Sequence, residues 1–455
     1  MEKRSYVLWV AIIASFGGLI FGYDSAVIAG AVGYLTDYFK LSPSGVGWSV
    51  SSALVGCVAG AAVAGEIGNR FGRKRTLMFA AICYAVSGLG TALAWSFTSF
   101  WLFRILGGAA IGLSVMIPLY VSEIAPKEMR GRLASLYQLA ITLGVVIVFI
   151  ANWGISNFGA STADWGVNHA WRWMLGSVTL PAAVFAVLLL FLPESPRWLL
   201  LQNRDAEARK ILDRLATPPQ IEEILREHAA DVHAQATRGT VALWSAHIFP
   251  ILLTACVLGI LQQAVGINVI IYYGTKLMSQ MRIGGANGAF FQQVLVGVAL
   301  FVATFIGIAL VDHWGRRPLL LVGSLGVSAT ILTVGAALMF HAEGPWLLSV
   351  ILLYIVFFAA TLGPIVWVMI AELAPDAARA RVVSIASLCL WLANIAVSQT
   401  FPMVNDSPVN KTQFNGALPF FIYGAFGIIF FVFTLLRVPE TKGRSLGEMG
   451  HIPLG

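Results

Sequence analysis

Charge is scarce in this sequence. Lys, Arg, Asp and Glu together make up 11% of its 455 residues, and apolar residues make up 58%. A soluble globular chain carries about 25% charged residues, so a water-soluble domain is excluded, as the mean hydropathy of +0.81 also indicates. Acidic residues are fewer than basic ones, 22 against 29, and the net charge of +7 raises the question of nucleic acid. That partner is excluded because the basic residues sit in short loops between apolar runs, with no basic face interleaved with aromatics. Cysteine is rare: Cys57, Cys83, Cys256 and Cys389 each lie inside an apolar run and none has CxxC spacing. A metal site is therefore not expected, and the thiols read as small buried hydrophobes. No P-loop or catalytic-triad pattern is present, so no enzyme, no catalytic residue and no cofactor are expected. A cleavable leader is not evident either, because the apolar run after Met1 to Arg4 is too long for one.

Long apolar runs are plentiful. They fall near 7–30, 46–66, 76–96, 99–121, 134–156 and 173–192, then near 246–274, 288–312, 318–340, 346–370, 383–404 and 417–437. A bilayer-spanning helix needs about 20 apolar residues, so the pattern predicts twelve membrane helices in a six-plus-six arrangement. The corresponding domains are 1–192, a polar connector at 193–245, 246–437 and a tail at 438–455. With the N-terminus in the cytoplasm, 23 of the 29 basic residues fall in inside segments and five outside, with Arg104 left within a run. This asymmetry predicts a multi-pass protein of the plasma (inner) membrane with both termini cytoplasmic. In the connector, AEARKILDRL and QIEEILREHAADVHA mix apolar and charged residues at helical spacing, which predicts short cytoplasmic linker helices. The short termini favour a bacterial host, although Asn410 lies in an NKT glycosylation pattern.

The halves repeat. GNRFGRKRTL at 68–77 matches VDHWGRRPLL at 311–320, YVSEIAPKEMRGRL at 120–133 matches MIAELAPDAARARV at 369–382, and PESPRWL at 193–199 matches PETKGRSL at 439–446. The offsets of 243, 249 and 246 residues agree closely. Duplicated six-helix halves are a transporter architecture, with the substrate site between them near the midplane.

Two charges stand inside apolar runs, Asp24 in the first and Arg104 in the fourth. Intramembrane charge is costly and marks function by default. If the first helix ends near Gly30 and the fourth begins near Ser99, both residues sit roughly 8–9 Å below the outer rim at 1.5 Å per residue. A carboxylate beside a guanidinium can change partner and protonation state as a cavity opens. A static pair fastening the two helices is the alternative. Amide side chains lie in other runs: Gln138 in the fifth, and Gln262, Gln263 and Asn268 in the seventh. Amides donate and accept without charge, which suits an uncharged polar ligand; interhelical hydrogen bonding is their plainer use. Gln262 and Gln263 point about 100° apart on a continuous helix, so both reach one ligand only if the seventh helix is broken, which Gly259 and Gly266 allow. Gly363 and Pro364 should bend the tenth helix and serve as a gate.

Seven motifs in order, GYDSAVIAGA at 22–31, the two GR[KR] loops, PLYVSEIAP at 118–126, PESPRWL, QQAVGIN at 262–268, GPIVW at 363–367 and PETKGRS, cover nearly the whole chain. In them the chain resembles the sugar-porter branch of the major facilitator superfamily. It is most similar to bacterial proton-coupled monosaccharide symporters of the D-xylose or glucose type. The resemblance implies two pseudo-symmetric bundles, a monomer in the lipid bilayer, and a monosaccharide carried with a proton by alternating access. A facilitative uniporter, an efflux transporter and a non-transporting sugar sensor are the alternatives. It implies proton coupling by Asp24 with Arg104. It also implies sugar contacts from Phe21, Gln138, Gln262, Gln263, Asn268, Tyr272, Phe358, Gly363, Trp367 and Trp391. The GR[KR] loops and their partners imply a cytoplasmic salt-bridge network of Arg73, Glu123, Arg130, Glu194, Arg316, Glu372 and Arg379, read as a latch between the halves. Positive-inside anchoring alone would also place basic residues there.

The chain departs from that pattern in four places. The acidic residue usual before the first loop's arginine is Asn69, so the first latch should be differently wired. Three amide positions of the xylose-type pattern are Val145, Leu300 and Leu390, so the pocket should be more apolar and the sugar is left open.

Overall fold

A computed structural model describes residues 3–126, 129–158, 164–226, 245, 248–280, 288–342, 344–374 and 378–442. The described residues are all-α, with no strand. Twelve helices among them are long and apolar enough to cross a membrane. They are α1 (Lys3–Phe39), α2 (Pro43–Phe71), α3 (Arg73–Ala92), α4 (Phe97–Ile124), α5 (Gly131–Phe158) and α6 (Gly166–Leu190). The second set is α7 (Ile248–Gln280), α8 (Gly288–Val311), α9 (Arg316–Met339), α10 (Trp346–Leu373), α11 (Arg379–Asn405) and α12 (Leu418–Arg437). Shorter helices in the connector run over Pro196–Leu201, Asp205–Leu215 and 218–226. The remainder of the expected QIEEILREHAADVHA helix lies outside the described residues.

Local chemistry explains several boundaries. The Ser96 side chain accepts from the Ser99 N–H, and the Ser99 hydroxyl accepts from the Ser96 N–H in return, a capping box that starts α4. α1 continues well past Gly30: after a turn at Val27 the segment Ile28–Phe39 is again helical and stops at Lys40 in a left-handed conformation. Thr36 and Asp37 near that end are polar, but helical backbone pairing continues through them. α7 breaks at Val265–Gly266, where Gly266 takes φ +88°, while Gly259 stays within the helix. In α10 a π-turn over Phe358–Leu362 precedes Gly363–Pro364. Pro364 has no N–H to give and its ring crowds the preceding turn, so a widened turn relieves both problems.

Small residues let α2 and α4 touch backbone to backbone. A Cβ on Gly56 would stand 2.0 Å from the Ile105 carbonyl oxygen, and one on Gly60 would stand 2.2 Å from that of Ala109. Such close approach substitutes for the hydrophobic drive that helices lack in lipid.

The chain packs as two compact units, 1–25 with 55–148 and 175–239, and 26–54 with 149–174 and 240–455. The repeat-based domains 1–192 and 246–437 are cut differently, because one end of α1, α2, α5 and α6 packs with the last six helices. In that second unit Thr275 donates to the Ala29 carbonyl. Ser51 Oγ donates to Gln399 Oε1 at 2.6 Å, and Gln399 Nε2 donates to the Ser44 carbonyl at 3.0 Å. Tyr34 stacks on Phe290, and Trp153 leans on Phe291. In the first unit the connector is tied down by the Lys3 ammonium, which donates to the Ala216 carbonyl at the end of Asp205–Leu215. It is also tied by the Trp198 indole, which donates to the Asn69 carbonyl at 2.8 Å.

Candidate functional site

Asp24 and Arg104 meet in the first unit, and both are 2% exposed. Their contact is long. Arg104 Nη1 stands 3.5 Å from Asp24 Oδ1 and 3.4 Å from the Asp24 carbonyl. Asp24 Oδ2 and Arg104 Nε have no hydrogen-bond partner. A tight bidentate pair would have used both carboxylate oxygens, so this carboxyl is enclosed but weakly engaged. The two charges are not matched in their distance from the helix ends. Because α1 runs on to Phe39, Asp24 lies about 22 Å from that end of the helix, whereas Arg104 lies about 10 Å from the start of α4. The two meet because of how α1 and α4 cross, not because their distances from helix ends agree.

In the second unit the break in α7 turns three amides into a directed chain. Asn268 Nδ2 donates to Gln263 Oε1 at 2.5 Å, Gln263 Nε2 donates to Gln262 Oε1 at 3.1 Å, and Gln262 Nε2 donates to the carbonyls of Leu362 and Gly363 at 2.9 and 3.0 Å. The chain ends on the bend of α10, so the two irregular helices are coupled by side-chain amides. Gln262 and Gln263 are buried and Asn268 is half-buried. Tyr272 and Phe358 are buried close to the two breaks, Gly363 and Trp391 are half-buried, and Trp367 is 42% exposed. A large exposed indole past a helix bend is available to cover an apolar ligand face. Phe21, half-buried, and Gln138, exposed, belong to the first unit. Val145, Leu300 and Leu390 are all buried. Leu390 packs against α7, its Cβ lying 3.2 Å from where a Cβ on Gly259 would be.

The charged loops form two copies of one device. Gly72 and Gly315 precede α3 and α9 with φ +97° and +89°. Glu194 accepts the N–H groups of Arg73, Lys74 and Ser195 at 2.9–3.0 Å. Glu440 accepts those of Arg316, Arg317, Thr441 and Lys442 at 2.9–3.1 Å. Each carboxylate therefore sits on the unsatisfied N–H groups at the start of a helix, where the helix dipole favours negative charge. A side chain at either glycine would collide with its carboxylate, since a Cβ would stand 2.4 Å from Glu194 Oε2 or 2.7 Å from Glu440 Oε2. Burial works to raise the Glu440 pKa, but the four backbone donors outweigh it and hold the carboxyl below its ordinary value.

Beside each carboxylate stands an ion pair. Arg73 makes a two-pronged pair with Glu123 at 3.0 and 3.1 Å, and Arg316 pairs with Glu372 at 3.0 Å. Asn69 Oδ1 accepts from Arg73 Nη1 at 3.0 Å, so the first loop is wired through a neutral amide. These pairs do not join one half to the other, as a latch between the halves would require. Arg73 and Glu123 both belong to the first six helices, and Arg316 and Glu372 to the last six, so each pair closes within its own half. Arg379 donates to the Ala374 carbonyl. The side chain of Arg130 lies outside the described residues.

The family model for the sugar (and other) transporter matches residues 10–452. The chain belongs to the sugar transporter family. It is 36% identical over 478 residues to the D-xylose-proton symporter of Escherichia coli (strain K12), covering 98% of this chain and 96% of that one. It is 35% identical over 466 residues to the glucose facilitated diffusion protein of Zymomonas mobilis, with 98% of each chain covered. The inward-open structure of the E. coli xylose transporter XylE superposes with a TM-score of 0.86 at 34% identity, over 98% of this chain and 99% of that one. The twelve-helix fold of the major facilitator superfamily follows.

Within this transporter the expected list missed Glu440, Thr441 and Gln399. The repeat already carried the signal for Glu440, because the offset of 246 residues maps Glu194 onto it. Thr441, whose hydroxyl donates to Glu372 Oε2 at 2.5 Å, follows from the same alignment. Gln399 carries no such signal, since its partner Ser51 lies 348 residues away.

Proposed function

We propose that this transporter imports a monosaccharide together with a proton by alternating access, acting as a monomer in a bacterial inner membrane with both termini cytoplasmic. The observation that carries the coupling is Asp24, a buried carboxyl with one oxygen unpartnered and the other in a single long contact with Arg104. An unscreened carboxylate is expensive in that setting, and a proton removes the cost. Arg104 supplies the opposing charge, so a modest shift of α1 against α4 favours either form. The amide chain of Gln262, Gln263 and Asn268, with Gln138, Phe21, Tyr272, Phe358, Gly363, Trp391 and Trp367, is the proposed sugar contact set. Amides match vicinal hydroxyls and aromatic faces match the ring C–H groups. The basic-residue asymmetry supports the orientation.

A facilitated-diffusion relative of nearly equal identity keeps uniport as the second reading. Uptake of a panel of pentoses and hexoses into proteoliposomes, with and without an inward proton gradient, separates the two. Symport predicts accumulation above equilibrium that collapses with a protonophore. Equilibration at the same level under both conditions would establish uniport.

A further inference from the structure

Three helices converge on a residue that has no side chain. Gly107 on α4 faces Ser87 on α3 and Asp24 on α1: a Cβ there would stand 2.5 Å from Ser87 Oγ and 3.2 Å from Asp24 Oδ2. The hydroxyl and the unpartnered carboxyl oxygen therefore lie against the same bare stretch of backbone, inside the first unit. Both side chains are enclosed, Ser87 at 1% exposure and Asp24 at 2%. Ser87 Oγ donates to the Phe103 carbonyl at 2.7 Å. That bond uses the only proton the hydroxyl has and leaves it lone pairs to offer. Asp24 Oδ2 has no partner. An ionised carboxyl can only accept, so it has nothing to give Ser87, whereas a protonated one carries an O–H that fits. Rotation about the soft χ2 torsion of Asp24 brings that O–H onto Ser87 Oγ.

We propose that Ser87 is a positioning residue for the transported proton: it accepts the O–H of protonated Asp24 and so holds the loaded form. The inference rests on the reading of Asp24 as the proton carrier. Arg104 reaches Asp24 Oδ1 and the Asp24 carbonyl, while Ser87 lies on the side of Oδ2, so one carboxyl faces two opposed demands. Arg104 favours the carboxylate and Ser87 favours the acid. A short movement of α1 against α3 and α4 then loads or releases the proton. The other titratable groups around the carboxyl are committed elsewhere. Tyr84 on α3 shares a hydrogen bond with Ser114 at 3.1 Å, and Tyr137 on α5 donates to the Ser114 carbonyl at 3.5 Å. Tyr23 on α1 pairs with Ser177 of α6 at 2.8 Å, and Cys57 on α2 is enclosed. Phenols and thiols hold their protons in mild acid and guanidinium holds its charge, so Asp24 is the group of this cluster whose charge changes.

The test uses the full-length protein in lipid and infrared difference spectroscopy. The carbonyl band of a protonated carboxyl that Asp24→Asn removes belongs to Asp24, and its loss as pH rises gives the midpoint of titration. Ser87→Ala withdraws the acceptor from the acid form, so this midpoint should move to lower pH by about half to one unit. Ser87→Thr keeps the hydroxyl and should keep the native midpoint. A midpoint that stays put or moves upward in Ser87→Ala, or that moves down equally in Ser87→Thr, overturns the proposal. Uptake into proteoliposomes carries the same signature: the pH at which gradient-driven accumulation is half lost should fall by the same amount in Ser87→Ala. A uniform loss of uptake at every pH would assign Ser87 a structural role and overturn its part in coupling. The two readings fail separately. Native accumulation by Asp24→Asn would end the proton-carrier reading, while the infrared midpoint decides the Ser87 hydrogen bond by itself. If Asp24→Asn removes no band, Asp24 takes up no proton and both readings fall.

Discussion

Replacing Glu440 with glutamine removes a charge from the start of α9 while keeping size and shape. The native carboxylate accepts four backbone N–H groups at 2.9–3.1 Å. Glutamine keeps one acceptor oxygen and turns an NH2 group toward donors that then have no partner. A hydrogen bond to a charged acceptor contributes about 1.5–3 kcal/mol, and a carboxylate at a helix start about 0.3–1 kcal/mol. The four bonds share one group and do not add, and Glu440 is only half-buried, so solvent screening reduces the total. A net loss of about 2 kcal/mol is the working figure, or about 3–6 °C in apparent melting temperature. The assay is thermal unfolding of the detergent-solubilised protein followed by tryptophan fluorescence. The pH dependence has a definite sign. The folded carboxyl has its pKa below the ordinary value, so its contribution is complete above about pH 4.3, the unfolded value, and fades as pH falls through the folded one. The gap between native and Glu440→Gln protein should therefore be flat at neutral pH and shrink on acidification below about pH 4. At neutral pH the matched Glu194→Gln should also lower the melting temperature, with three backbone donors in place of four. Unchanged melting in both variants would refute the view that these carboxylates cap α3 and α9.

Further outcomes follow from the same geometry. Gln262→Ala should weaken sugar binding by about 1–3 kcal/mol, because it breaks the amide chain and leaves Gln263 and the α10 carbonyls short of a partner; isothermal titration measures it. Arg73→Ala should destabilise the protein by about 3–5 kcal/mol by leaving Glu123 buried and unpaired, whereas Arg316→Ala, in a more exposed pair, should cost less; melting curves compare them. Gln399→Ala should loosen the contact of 44–51 with α11, and thiol labelling of a cysteine placed at Ser51 should speed up several-fold. Labelling unchanged from the parent would mean that the Gln399 contacts do not hold that end.

How much of this was legible in the sequence depended on the kind of signal. Apolar length identified twelve helices because lipid forces every span to satisfy its own backbone. It misplaced the end of α1, since the helix Ile28–Phe39 runs on through the polar residues Thr36 and Asp37. Pro364 announced an irregularity because its chemistry is local, and a π-turn over Phe358–Leu362 precedes it. Gly259 and Gly266 were indistinguishable by composition, and only the positive φ at Gly266 separates a hinge from a packing contact. The repeat brought Glu194 and Glu440 into register, yet the role of each is set by N–H groups that sequence does not display. Arg73 pairs with Glu123 and Arg316 with Glu372 inside their own halves, which spacing cannot reveal, because it shows which residues lie in a loop and not which helix the loop faces. Gln399 could not be found at all, its partners being distant in the chain and ordinary in type.

In the proposed coupling, Asp24 carries the proton. The most direct measurement is sugar-induced proton movement, read as alkalinisation of a weakly buffered medium outside proteoliposomes when a transported sugar is added. Native protein should alkalinise the medium in step with sugar entry. Asp24→Asn should bind sugar and exchange it across the membrane while producing no pH change. Alkalinisation by Asp24→Asn at the native ratio of protons to sugar would contradict the account.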